Sequence, residues 1–134
     1  MTMPRLIPAL AATFAACLPA FAQDVPGAYR AIEWKLVAIN GQPFTASATI
    51  DLNTAGQISG QGPCNRFSGS YEGPLPQFRA GPLRATRMAC PDLAAESALF
   101  AALAEMTRAE VTGPTTLLLT GEKGGSMEFV RPMN

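Results

Sequence analysis

The side chains able to do chemistry gather in two short segments, Gly60–Tyr71 and Thr86–Pro91. The first carries Cys64, Asn65 and Arg66, then Phe67, Gly69 and Tyr71; the second carries Thr86, Arg87, Met88 and Cys90. A cysteine acts as a nucleophile or redox group only as an accessible thiolate, which a neighbouring base or cation must favour. The sequence has no histidine, so the commonest general base and the commonest metal ligand are both missing. The C-x-x-C spacing of thiol oxidoreductases is missing too. In an exported chain, two such cysteines read as a structural disulfide. Beyond the extreme N-terminus Cys64 and Cys90 are the remaining thiols, so each is the other's intramolecular partner once the leader is removed. A bridge closing a loop of that length stabilises a small domain by roughly 3 to 4 kcal/mol on the chain-entropy model.

Anion binding is the other chemistry these segments suggest. Arg66, Arg79, Arg84 and Arg87 fall close in sequence and could form a basic patch for an acidic partner or a lipid headgroup. Arginines scattered over strands more often make a solvated face. Asn65 is expected to hydrogen-bond the backbone of its own turn. Ten basic residues balance ten acidic ones, which argues against nucleic acid as a partner, because phosphate backbones require a basic face. No metal-ligand set or cofactor motif is present, and an enzymatic role is not expected.

The N-terminus indicates the compartment. Residues 1–5 carry one arginine, Leu6 to Leu18 is apolar and alanine-rich, and Ala20-Phe21-Ala22 has the small-x-small form of a signal-peptidase site. Residues 1–22 are therefore read as a cleaved export signal, and the mature chain as periplasmic. The rival reading is lipidation at Cys17 after Phe14-Ala15-Ala16, giving an outer-membrane lipoprotein. The apolar run, interrupted by Pro8 and Pro19, falls short of the roughly 20 residues that span a bilayer.

These residues need a scaffold to position them. Residues 23–32, with Pro26 and Gly27, read as a flexible leader, and 33–131 as one domain. Glu33–Ile39 is a first strand ended by the turn signal Asn40-Gly41. Thr49–Leu52 and Gln57–Gly60 form a hairpin, and Phe67–Tyr71 is a strand with Phe67, Gly69 and Tyr71 on one face. Gln77–Ala80 and Leu83–Thr86 are short strands around Gly81-Pro82. Pro91–Met106 is rich in alanine and leucine and reads as the helix, with Pro91 in its first turn and Asp92 and Glu96 near the positive end of its dipole. Leu93, Leu99, Phe100, Leu103 and Met106 gather on its packing side. Arg108–Val111, Thr115–Thr120 and Ser126–Val130 complete the chain. The whole is mainly β, an antiparallel barrel-like sheet of about eight short strands with one helix at about 91–106 packed against it.

With the elements in this order, the chain resembles the META/HslJ-like domain of bacterial envelope proteins. The resemblance rests on Trp34-x-Leu36 with Asn40-Gly41, on Gly60-x-x-x-Cys64-Asn65-x-Phe67-x-Gly69-x-Tyr71, and on Thr86-x-Met88-Ala89-Cys90. It covers about Glu33 to Val130. Pro63 departs from the small residue usual there, which bears on the local turn and leaves the fold. The resemblance implies a β-rich domain, periplasmic or associated with the outer membrane, with links to heat shock and to resistance to an aminocoumarin antibiotic. It also implies likeness to pilot lipoproteins that chaperone secretion pores. It carries no catalytic residues, so Cys64, Asn65, Arg66, Phe67, Gly69, Tyr71, Thr86, Met88 and Cys90 enter as signature positions with structural roles.

Two non-enzymatic functions follow. One is a monomeric protein-interaction or stress-response module that binds an envelope protein through a sheet edge or apolar groove. The other is a carrier of a small apolar ligand or lipid, in a cavity lined by Trp34, Phe67, Leu99, Phe100 and Phe129. A filled core with an exposed apolar strip favours the first; a lined cavity favours the second.

Overall fold

The computed structural model describes residues 2–5, 8–9, 25–31 and 33–132. The cleavage site after Ala22 and the lipidation site at Cys17 lie outside the described residues. Strand β1 (Trp34–Ile39) is central, because its first half pairs with β3 (Thr49–Asp51) while β10 (Ser126–Val130) runs along its other edge. The Asn40-Gly41 turn has positive φ at both residues, 51° and 75°. Such a turn suits the twist of a tight hairpin. It returns the chain as β2 (Gln42–Pro43), a strand too short to show in the sequence pattern.

From β3 the sheet continues through β4 (Gln57–Gln61) and β5 (Arg66–Glu72), onto which β6 (Arg79–Ala80) and β7 (Arg84–Ala85) both pair. Helix α1 (Leu93–Glu105) follows, then β8 (Met106–Thr112) and β9 (Thr116–Gly121). Among the described residues ten strands make one antiparallel sheet, eight of them in the order β6-β5-β4-β3-β1-β10-β9-β8 with β2 added on β1 and β7 on β5, against the expected count of about eight. The strand path is open, so "barrel-like" holds only loosely. Its two ends still approach each other: Gln77 bridges Arg108 through two hydrogen bonds, Phe78 N–H to Thr107 O at 3.0 Å and Ala109 N–H to Pro76 O at 2.8 Å.

The inward rows pack solidly. Trp34, Ile50, Phe67, Leu99, Leu117, Met127 and Phe129 are all within 1 % of full burial, and the rings of Phe67 and Phe100 meet edge to face at 5.3 Å. Phe67 and Tyr71 share the buried face of β5, as alternation requires, with Gly69 between them. A Cβ on Gly69 would come within 2.8 Å of Leu83 Cδ2, so the glycine makes room for Leu83 to cross the strand.

The segment expected to be a flexible leader is packed where it is described. Val25 and Tyr29 belong to the core, and Gly27–Tyr29 forms a 3-10 turn. Trp34 Nε1 donates to Tyr29 O at 2.9 Å, Tyr29 Oη donates to Ala109 O at 2.8 Å, and Arg131 Nη2 donates to Ala28 O at 2.8 Å. Burial and the nearby Glu110 charge push the Tyr29 phenol above its ordinary 10.0, so it stays a donor. Buried tryptophan and tyrosine need partners for their polar atoms: this segment supplies the one for Trp34, and Ala109 on β8 supplies the one for Tyr29.

Candidate functional site

The chemistry-bearing segments converge on the first turns of α1. Cys64 and Cys90 form a disulfide, with Cα atoms 5.7 Å apart, inside the range such a bridge needs. Gly62 to Asn65 makes a bend closed by Gly62 N–H to Asn65 O at 2.7 Å. Pro63 fits this bend because its fixed φ suits a turn and no donor is demanded of it. The bend points two backbone N–H groups at Glu96: those of Cys64 and Asn65 donate to Glu96 Oε2 at 2.8 and 2.7 Å. Asn65 Nδ2 donates to Glu96 Oε1 at 2.6 Å.

Glu96 is only 3 % exposed. Burial opposes its ionisation, but the bonds from the Asn65 side chain and from the Cys64 and Asn65 backbones outweigh that and hold its carboxyl below the ordinary 4.5. Gly62 allows the close approach, since a Cβ there would lie 2.8 Å from Glu96 Oε2. The rest of Asn65 ties the second segment: Nδ2 also donates to Met88 O at 3.1 Å, and Oδ1 accepts from Met88 N–H at 2.6 Å and Thr86 Oγ1 at 3.0 Å. Asn65 thus bridges two segments and the helix, where the sequence suggested a bond within its own turn.

This clamp leaves an apolar groove beside it. Met88 is 67 % exposed and Leu93 42 % exposed, so Leu93 does not join the packing face expected for it. The helix buries Glu96, Leu99 and Leu103 instead. Met88, Ala89, Leu93, Phe100 and Leu83 line a groove of about 430 Å³, with Asn65 and Glu96 at its base. Leu83 and Phe100 continue into a neighbouring hollow of about 220 Å³ with Pro82 and Ala104.

The arginines do not form one patch. Arg66 and Arg84 line a separate trough on the outer face of β3, β4, β5 and β7, Arg87 lines the apolar groove, and Arg79 lies 3.5 Å from Glu122. Among the described residues there is no cluster of three or more histidine, cysteine or carboxylate side chains placed for a metal ion.

The family model described as META domain matches residues 28–134. The chain belongs to the META domain family. Two solved structures resemble this META domain. An NMR structure of a protein from Burkholderia xenovorans is 27 % identical, with a TM-score of 0.60, covering 76 % of this chain and 82 % of that one. A second protein structure solved by NMR is 26 % identical, with a TM-score of 0.55, covering 72 % of this chain and 86 % of that one. No curated protein matches at a significant level.

Within this META domain, Cys64, Asn65, Thr86, Met88 and Cys90 come together at one site, and Phe67, Gly69 and Tyr71 run down the strand behind it. Arg66 points away, into the trough. The residue that sequence reasoning missed is Glu96, taken there for a helix-dipole charge. A signal was present: Glu96 stands at i relative to Leu99 at i+3 and Leu103 at i+7, on the stripe a helix buries.

Proposed function

We propose that this META domain is a non-enzymatic interaction module of the cell envelope, which takes an apolar segment of a partner protein into the groove between α1 and residues 82–89. The observation that carries the reading is a filled core beside an exposed apolar strip. Trp34, Phe67, Leu99 and Phe129 belong to one core cluster with no more than 1 % exposure, while Met88 and Leu93 stand in the groove with none of the described residues covering them. Exposed large apolar side chains on a rigid rim are typical of binding surfaces. The rim is rigid because the disulfide, Asn65 and Glu96 fix both of its walls.

Export to the periplasm accords with the disulfide, which persists in oxidising compartments, and among the described residues no helix is long and apolar enough to cross a membrane. A role in envelope stress comes from the family resemblance. The test uses Met88→Asp and Leu93→Asp, exposed positions whose change leaves the fold intact. In a strain lacking the protein, both variants are expected to be exported and to melt within about 2 °C of the parent, yet fail to restore tolerance to heat or an aminocoumarin. Full rescue by both variants would overturn the reading. Lipid released by organic extraction of the purified protein would favour the carrier instead.

A further inference from the structure

The trough on the outer face is built by strand register and is distinct from the apolar groove, with which it shares only Ala85 and Thr86. Its volume is about 560 Å³. One wall is the cross-strand row Asp51, Ser59, Ser68 and Arg84, each facing the next across a ladder. The other wall is the parallel row Thr49, Gln61, Arg66 and Thr86, of which Thr86 N–H donates to Arg66 O at 3.1 Å. Between them the floor is backbone, over the inward row of Ile50, Gly60, Phe67 and Ala85.

Charge among the residues that line this trough is segregated. Glu33, one step beyond the Trp34–Ile50 pair, stands with Asp51 at the β1–β3 end. Arg66 and Arg84 stand at the β5–β7 end. Both arginines are exposed, and neither belongs to an ion pair among the described residues, where the pairs are Arg79–Glu122 and Arg108–Glu110. Lys35, exposed and opposite Thr49 across β1 and β3, stands outside the lining and leaves the acidic end with one net negative charge. Arg66 and the diagonal Arg84 give the other end two positive ones. Each end is relieved by a ligand group of complementary charge. Hydroxyl and amide side chains lie between.

We infer that the trough binds a short linear zwitterion, an extended peptide of about four residues with free ends, its amino group between Glu33 and Asp51 and its carboxylate on Arg66 and Arg84. The length follows from spacing. Asp51 and Arg84 are separated by three strand-to-strand steps, about 14 Å at roughly 4.8 Å each, and an extended chain spans about 3.3 to 3.6 Å per residue. Forked guanidiniums suit a terminal carboxylate.

The probe is tetra-alanine titrated into the whole mature protein, followed by backbone amide NMR and calorimetry. Shifts are expected along Thr49–Asp51, Ser59–Gln61, Arg66–Ser68 and Arg84–Thr86. N-acetylation or C-amidation of the peptide should each weaken binding about tenfold, as should Arg84→Gln or Asp51→Asn, the loss of one charge-assisted contact. Asp51→Asn keeps the Oδ1 that accepts from Asn53 N–H, and Lys123→Gln serves as a neutral control. Absence of shifts at millimolar peptide, undiminished binding with both ends blocked, or shifts centred on Met88 and Leu93 would each overturn the inference.

Discussion

At the scale of single residues, Glu96 is the joint of the candidate site. It is a buried carboxylate whose two oxygens accept from three N–H groups of the Cys64–Asn65 bend. Glu96→Gln keeps the shape but removes the charge and sets an amide against donors, so a loss of about 2 to 4 kcal/mol is expected in urea unfolding. The same residue gives a pH dependence. Its folded-state value lies below 4.5, so below that pH the unfolded chain takes up the proton first. The stabilisation is complete above about pH 4.5 and is lost as pH falls through the lower folded value. Melting temperature in the parent should therefore drop more steeply on acidification than in Glu96→Gln; parallel curves would contradict the clamp. The disulfide was legible in the sequence because the alternatives to Cys64–Cys90 pairing were few. Glu96 was not, because its partners lie 31 and 32 residues away and a helical glutamate ordinarily faces water.

At the scale of elements, strands bounded by turn signals, such as β4, β5 and β9, were legible, as was the helix to within two residues of its start. Three things were not: the short β2, the exposure of Leu93 and the docking of residues 25–31. The last depends on Trp34 and Ala109 offering partners, which no local pattern reveals. A chain beginning at Glu33 should consequently unfold about 3 kcal/mol more easily than one beginning at Gln23, through loss of the buried Tyr29 and its hydrogen bonds. Equal stability of the two would show the segment to be a free leader. Gly60 gives a sharper test of register. A Cβ there would lie 2.0 Å from Thr49 O and 2.8 Å from Phe67 Cζ, so Gly60→Ala must part β3 from β4. Loss of the cooperative transition, or of more than about 3 kcal/mol, is expected by circular dichroism melting.

At the scale of the whole molecule, the sheet curls until β8 meets the segment at Gln77, just before β6, and α1 packs on its inward side. Mainly-β architecture was legible from turn spacing. The near-closure was not, because it rests on one bridge made by two backbone hydrogen bonds between segments distant in sequence. The disulfide joins the β4–β5 bend to the start of α1 across 26 residues, so its reduction should cost about 3 to 4 kcal/mol and lower the melting temperature by roughly 15 to 20 °C. The same reduction should loosen the groove, because Cys64 and Met88 are tied through Asn65. The most direct test of the central claim places a photo-crosslinking residue at Met88 in the exported protein, with Lys123 as control. One discrete protein adduct from position 88, absent from position 123 and abolished by Leu93→Asp, is the predicted result. No adduct, the same adducts from both positions, or an adduct of lipid mass would contradict it.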